Sequence, residues 1–225
     1  MTALILIEAG LDPMVIVGTK LKEFGNKNFR KGKGGYLVLE ADEWKASFHH
    51  YSPFVATITN IDAEHLDFYK TFANVKKSFE IFKTRCHAVV ERPTDKKIAD
   101  TIRRILKVPG EHNVQNALNA YAVASFLGIP EKIILSALGK YQGAWRRMEY
   151  RGKMRITNNE LRIMGKIGAS KSLNSSFIIH NSPLIFDDYA HHPTEIKATI
   201  AGFRQKWPKN ALICVFQPHQ TKRLV

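Results

Sequence analysis

The sequence predicts an α/β fold built around parallel strands. Three short apolar runs rich in β-branched residues, MVIVG, YLVL and VATITNI, have the composition of buried strands, and amphipathic stretches with a helical period alternate with them. This alternation is typical of strand–helix–strand units, in which the strands pair in parallel. The chain has 225 residues and is 44% hydrophobic, which is enough to bury a core in one or two domains.

The helices follow from their apolar period and from the residues that end them. Residues 1–9 form the first predicted helix, which Gly10 and Pro13 end. Further helices are predicted for FANVKKSFEIFKTR, DKKIADTIRRIL, NVQNALNAYAVASFLG and PEKIILSALGKY. Near the end of the chain, PLIF, PTEIKATIAGFRQKW and ALICVF predict a strand, a helix and a second strand, which together form a β-α-β unit.

The residue composition changes between residues 151 and 183, where short apolar triplets alternate with Asn, Ser, Gly and Lys. We interpret this segment as a linker, an insertion or a loose hairpin. The chain is therefore expected to divide into a first domain (1–150), the intervening segment (151–183) and a second domain (184–225).

The composition excludes several classes of protein. No apolar run approaches the roughly 20 residues that cross a bilayer, and MTALILIEAGLDP is acidic where a secretory signal is basic, so we expect a cytoplasmic protein. Cys86 and Cys214 lie far apart without C-x-x-C spacing, which indicates neither a disulfide framework nor a zinc site. The formal charge of +14 favours anionic partners, and we interpret its densest run, Lys20–Lys33, as a solvated loop.

Polar loops follow the predicted strands, at the edge of the sheet where parallel sheets bind ligands. Two of them hold oxygen and imidazole side chains: Glu40, Asp42 and Glu43 in EADE, and Asn60, Asp62, Glu64, His65 and Asp67 in NIDAEHLD. Such groups suit Mg²⁺, although each loop taken alone is equally compatible with an ordinary polar surface loop.

The third loop is DDYAHHPTEI, in which Pro193 suits the first helical position and Glu195 the third. No segment matches the phosphate-binding pattern G-x-x-x-x-G-K-[ST]. The nearest run, GKIGASKS, has a serine in place of the second glycine.

Taken together and in this order, EADE, TNIDAEHLDFY, VPGEHNVQNALNA, RRME and DDYAHHPTEI, followed by FQPH, resemble the Mur ligases of peptidoglycan synthesis. The resemblance implies an incomplete parallel-sheet central ATPase-type domain and the first part of a Rossmann-like C-terminal domain. It implies ATP-dependent ligation of L-alanine to UDP-N-acetylmuramate, with ATP and Mg²⁺ required and neither a membrane nor nucleic acid as partner.

The resemblance also implies roles for individual residues. Glu40 and His65 are similar to the Mg²⁺ ligands, and Arg147 and His191 to the catalytic groups at the ATP phosphates and in the cleft. The other carried-over residues are His112, Asn113 and Asn116 at the adenine, Asp188 at the ribose, and His219 and Arg223 in the amino-acid pocket. The residues alone leave two alternatives open: helix capping for the asparagines, and a surface ion pair with Glu149 for Arg147.

The chain also departs from the family pattern. Trp44 and Lys45 follow EADE where the family has Ser-Asp, Gln220 replaces an arginine, and the stretch 83–107 is short. The Gly-Lys-Thr-Thr phosphate loop of the family would precede residue 1, so we expect impaired activity. The alternative functions are a non-catalytic nucleotide- or nucleic-acid-binding module and a relative of the murein tripeptide ligases.

Overall fold

The computed structural model describes residues 1–154, the strands Leu161–Gly165 and Ser175–Ile179, and residues 183–217. The chain divides into two compact units, one made of residues 1–145 with the chain from His191 onward, and the other of residues 146–190. None of the helices in these ranges combines the length and apolar character that a bilayer crossing requires.

The helices of the described chain belong to the first unit, and most of the predicted ones are confirmed. They are α1 (Thr2–Glu8), α2 (Leu66–Tyr69), α3 (Phe72–Arg85), α4 (Lys96–Ile105), α5 (Glu111–Phe126), α6 (Glu131–Lys140) and α7 (Pro193–Lys206). The core lies where α1, α4, α5 and α6 meet, with Ile5, Ile102 and Ile134 fully buried. Side chains cap the starts of α3 and α4, as well as that of α7 described below: Thr71 accepts from the Asn74 N–H, and Asp95 accepts from the Lys97 N–H.

The first unit contains small sheets in which the predicted parallel pairing is confirmed. Its strands are β1 (Met14–Leu21), β2 (Lys27–Arg30), β3 (Leu37–Leu39), β4 (Val55–Ala56) and β5 (Ala88–Val89). Strand β1 lies between β2 and β3, and it pairs in parallel with β3 and antiparallel with β2. The parallel pair β4–β5 forms a separate two-stranded sheet.

The interpretation of Lys20–Lys33 as a loop was wrong, because Lys27–Arg30 forms strand β2 at the edge of the first sheet. Three of its four side chains are exposed. Positive charge on an edge strand discourages pairing with a further chain, so a basic run is compatible with this position. Arg30 holds the strand in place by donating hydrogen bonds to the Asp12 carboxylate and to the Pro13 carbonyl.

The second unit is built from antiparallel strands. Strand β6 (Glu149–Lys153) pairs with β9 (Leu184–Asp187), and β7 (Leu161–Gly165) pairs with β8 (Ser175–Ile179). Of the alternatives for residues 151–183, the structure therefore contains a hairpin.

The expected β-α-β unit at the end of the chain is wrong. PLIF forms β9 and the helix forms α7, but residues 211–217 are not a strand, and Val215 is 95% exposed. Strand β9 is instead paired antiparallel with β6. An apolar run becomes a strand only where a neighbouring strand pairs with its N–H and C=O groups, and no described strand lies beside this run.

Helix α7 begins with reciprocal capping, as the positions of Pro193 and Glu195 predict. Pro193 is the first helical residue, and Glu195 accepts from the N–H groups of His191 and His192. His192 is the N-cap, and its Nδ1 accepts from the Thr194 N–H at 3.3 Å.

Asp62 joins the start of α7 to the loop that follows β4. Its Oδ2 accepts from the Thr194 hydroxyl at 2.8 Å and lies 3.7 Å from His192 Nδ1, while its Oδ1 accepts from the Ala63 N–H at 2.8 Å. The bond from Thr194, followed by that from Ala63, lowers the pKa of the Asp62 carboxyl below its usual range.

Gly110 joins the start of α5 to the end of α7. Its N–H donates to Gln205 Oε1 at 3.0 Å, and its φ of +101° lies in a region that side chains disfavour. A Cβ at this position would lie 2.5 Å from Cε1 of the His112 ring.

Replacing Gly110 with alanine is expected to destabilise the fold by about 3 kcal/mol, because backbone strain adds to the clash with His112. Gly128→Ala is the matched control, since Gly128 also has a positive φ of +74° but has no atom within 4 Å of the added Cβ. That control should cost only about 1 kcal/mol. Urea unfolding of both variants measures the difference, and equal losses would contradict the steric part of the explanation.

Replacing Asp62 with asparagine is expected to cost about 1 kcal/mol at pH 7 through weaker hydrogen bonds to α7. Because the folded pKa of Asp62 is lowered, its contribution is complete above the unfolded pKa of about 4 and is lost as the pH falls through the folded pKa. The wild type and the variant should therefore converge below that range. Urea unfolding across pH 3–7 measures this, with Asp67→Asn as control. Equal stability of the two variants at pH 7 would contradict the role of Asp62.

Candidate active site

Glu40 lies directly beyond the parallel pair β1–β3. Its backbone N–H extends the pairing by donating to the Ile16 carbonyl at 3.0 Å, and its Oε2 accepts from the Gly18 N–H at 2.8 Å. A side chain at position 18 would press on this carboxylate, because an added Cβ would lie 3.2 Å from Glu40 Oε1. The sequence placed Glu40 at the end of a parallel strand, and the structure agrees.

Asp42, Glu43 and His65 form the acidic–histidine cluster of the first unit. Each offers one ligand atom, and these atoms all lie within 4.8 Å of one another. His65 Nε2 is 3.5 Å from Glu43 Oε1 and 4.0 Å from Glu64 Oε2. Glu40 is not a member of this group, so the structure places Asp42 and Glu43 with the predicted ligand His65. Whether Glu40 is itself a ligand stays a prediction.

The backbone around the cluster is held in uncommon conformations. Lys45, Ala46 and His65 all have positive φ values although none is glycine. The Asp42 side chain accepts from the Trp44 N–H at 2.8 Å, and the Asp42 carbonyl accepts from the Ser47 hydroxyl at 2.6 Å. Strained backbone held by local hydrogen bonds is typical of sites with a function.

The chemistry of the cluster fits a hard divalent cation. Two carboxylates and one imidazole suit Mg²⁺ or Mn²⁺, and the partial exposure of the cluster leaves room for water and for a substrate phosphate. The indole of Trp44 covers one side, with its ring centroid 4.9 Å from that of His65. Trp44 is one of the departures from the family pattern, and here it packs against the predicted metal ligand.

The three residues predicted to meet adenine lie in the first two turns of α5. The Asn113 amide donates to the Pro109 carbonyl at 2.7 Å, but no described side chain accepts from the first N–H groups of α5, so the helix-capping alternative was wrong. Asn116 is exposed, whereas His112 is half-buried beside Gly110.

A cavity of about 260 Å³ opens beside the start of this helix, with Arg103, Lys107 and Gln205 in its lining. The adenine role of the three α5 residues stays a prediction.

Arg147 and Asp188 belong to the second unit. Arg147 is exposed in the turn before β6. The Asp188 carboxylate accepts from the Met148 N–H at 2.8 Å and from the Ala190 N–H at 2.7 Å, so each of its oxygens already accepts one bond. A carboxylate keeps further acceptor capacity, and the predicted ribose contact is compatible with these bonds. The phosphate role of Arg147 stays a prediction.

His191 belongs to the first unit and lies next to the N-cap of α7. Its Nδ1 is 3.6 Å from Glu195 Oε2, whose carboxylate also accepts from the His191 N–H. The ring therefore lies beside the same glutamate that caps the helix. His219 and Arg223 lie outside the described residues, and their roles stay predictions.

Several residues of this region carry no signal in the sequence. Tyr69 ends α2 and is only 7% exposed, and its hydroxyl donates to the Glu43 carbonyl at 2.6 Å. Asn119 is 3% exposed inside α5 and meets the Thr57 hydroxyl through Oδ1, while its Nδ2 has no hydrogen-bond partner among the described residues. For Asn119, its position within the largely apolar stretch NALNAYA is the one sequence feature that indicates a buried polar side chain.

Two family models match the chain. One, described as the Mur ligase middle domain, matches residues 24–105, and one described as Mur ligase, glutamate ligase domain, matches residues 177–224. The chain is 34% identical to the UDP-N-acetylmuramate–L-alanine ligase of Desulforapulum autotrophicum and 35% identical to that of Aquifex aeolicus. Both alignments include 99% of this chain but 53% of the relative, so the chain spans about half the length of these relatives.

Solved structures give the same assignment of fold. The UDP-N-acetylmuramate-alanine ligase from Thermotoga maritima matches 96% of this chain and 53% of its own, with a TM-score of 0.70 at 24% identity. A murein peptide ligase from Psychrobacter arcticus matches 92% of this chain and 52% of its own, with a TM-score of 0.54 at 24% identity. The relatives, the family models and the shared fold agree, and the chain belongs to the Mur ligase family.

Proposed function

We propose that this chain supplies the metal- and nucleotide-binding part of an ATP-dependent ligase that joins L-alanine to UDP-N-acetylmuramate. The observation that carries the proposal is the convergence of Asp42, Glu43 and His65 beyond the short parallel strands, in a family whose relatives are named for this reaction. Ligands of open parallel sheets bind at this edge.

The reaction class explains why the site needs cations. ATP phosphorylates the carboxylate of the UDP-sugar, the amine of L-alanine then attacks the acyl phosphate, and ADP and phosphate leave. A bound Mg²⁺ offsets negative charge on the phosphoryl group during its transfer. His65, with Asp42 and Glu43, would hold that ion through their ligand atoms, and Glu40 is proposed as a further ligand.

The remaining roles in the proposal follow the family pattern. The nucleotide would meet His112, Asn113 and Asn116 at the adenine, Asp188 at the ribose and Arg147 at the phosphates. His191 is proposed to face the reacting groups, and His219 and Arg223 to receive the amino acid. The hydrogen bonds of Asp188 limit the motion of its side chain, and those of Asn113 do the same for its own, so each proposed contact is preorganised within its own unit.

We expect the full chain to release ADP, at an impaired rate, when it is mixed with ATP, Mg²⁺, UDP-N-acetylmuramate and L-alanine. His65→Ala should lower this rate at least about 100-fold, because loss of a metal ligand weakens charge stabilisation by several kcal/mol. A coupled ADP assay at saturating substrate measures the rate.

His50→Ala is the matched control, since His50 is an exposed histidine in the same region and lies outside the cluster. It should leave the rate within about twofold, as surface changes away from a site usually do. Equal activity of His65→Ala and His50→Ala would exclude His65 from the site. No release of ADP by the wild type would contradict the proposed activity of this chain.

A second candidate is a non-catalytic module that binds nucleic acid, which the formal charge of +14 and the exposed basic edge strand β2 favour. Contacts to phosphates release counterions, so binding of this kind weakens steeply with salt. Titration with a generic DNA duplex between 50 and 200 mM salt separates the candidates. Steep salt-dependent DNA binding without ATP binding would replace the ligase proposal.

A further inference from the structure

Beside the acidic–histidine cluster, the side chains of His49, Ser78 and Tyr69 form a continuous hydrogen-bond network. His49 Nε2 lies 2.8 Å from the Ser78 carbonyl and 3.0 Å from the Ser78 hydroxyl. The Ser78 hydroxyl lies 3.3 Å from the Tyr69 hydroxyl, which lies 2.6 Å from the Glu43 carbonyl. Ser78 and Tyr69 are 6% and 7% exposed, so water has little access to these bonds.

The groups that can only accept determine the donor and the acceptor of each hydrogen bond in this network. The Ser78 carbonyl can only accept, so His49 must carry a proton on Nε2. This N–H donates to the Ser78 carbonyl and, as a shared hydrogen bond, to the oxygen of the Ser78 hydroxyl. The Glu43 carbonyl also only accepts, so the Tyr69 hydroxyl donates to it. The Ser78 hydroxyl is then left to donate to the oxygen of Tyr69. Every polar hydrogen in the chain has an acceptor, which makes the network self-consistent.

Tyr69 links the two chain segments that carry the cluster. Its backbone N–H donates to the His65 carbonyl at 2.9 Å, while its hydroxyl donates to the Glu43 carbonyl. One buried residue therefore connects the main chain of Glu43 to the main chain of His65. The same residues are flanked by strained backbone at Lys45 and Ala46, which needs such bracing to persist.

We propose that Tyr69, supported by Ser78 and His49, is a positioning residue that sets the spacing between Glu43 and His65 for binding of a divalent cation. The inference rests on the proposed function, since it assumes that the cluster holds a metal ion. Tyr69 touches neither the ion nor a substrate; it acts through the backbone carbonyls of the two ligand residues. Residues that orient metal ligands typically change metal affinity 10- to 100-fold when replaced.

The test is Mn²⁺ binding to the full chain, followed by electron paramagnetic resonance of the free ion. Tyr69→Phe removes only the hydroxyl, and it should weaken Mn²⁺ binding roughly 10-fold. Tyr51→Phe is the matched control, because it removes the same group from a tyrosine that is 41% exposed, and its affinity should match the wild type. The thermal midpoint of each apo variant shows whether the fold is intact.

A second variant keeps the inference testable if Tyr69→Phe does not fold. Ser78→Ala removes the support of the Tyr69 hydroxyl and should weaken Mn²⁺ binding roughly threefold, as the loss of one hydrogen bond predicts. Wild-type affinity in a folded Tyr69→Phe or Ser78→Ala variant, when His65→Ala abolishes binding, would overturn the positioning role alone. Absence of Mn²⁺ binding by the wild type would overturn the metal site and the inference with it.

Discussion

The short extent of the parallel strand pairing is the constraint on which the candidate site depends. Strands β1 and β3 pair over three residues and β4 and β5 over two, so the sheet hydrogen bonds of β1 and β3 end at Glu40, the first residue of the acidic loop. Side chains must therefore hold the loops. Glu40 binds the Gly18 N–H, Asp42 closes a local turn, and Tyr69 connects Glu43 to His65. Geometry that a longer sheet would provide through its backbone depends here on individual side chains, of which Tyr69 is buried.

The helices were predictable because their stabilisation is largely local. The boundaries of α3 follow from its apolar period and from the Thr71 cap, both of which are present in the sequence. The strands were less predictable because a strand exists only with a partner. Lys27–Arg30 is polar but pairs with β1, whereas ALICVF is apolar but has no described partner. Pairing depends on tertiary structure, which a single sequence pattern does not specify.

The candidate site was partly predictable for a related reason. The sequence placed Glu40, Asp42, Glu43 and His65 in two loops at the ends of strands, but the grouping of Asp42 and Glu43 with His65 depends on left-handed backbone at non-glycine positions. Glycine would have signalled such conformations, and lysine, alanine and histidine do not. The roles of Tyr69 and Ser78 were not predictable, because the sequence does not show which partner a buried hydroxyl will hydrogen-bond.

The stretch DDYAHHPTEI shows how binding and folding demands coincide in one segment. Two of its three carboxylates are engaged by the main chain: Asp188 accepts from the Met148 and Ala190 N–H groups, and Glu195 caps α7. His192 is also part of that cap, and Asp62 binds Thr194 from another loop. His192 and Glu195 thus serve to begin the helix, and Asp62 helps to hold it in place. Loss of activity after replacement of His192 or Glu195 is informative about chemistry only where stability is measured alongside it, because the first effect of either change is on the start of α7.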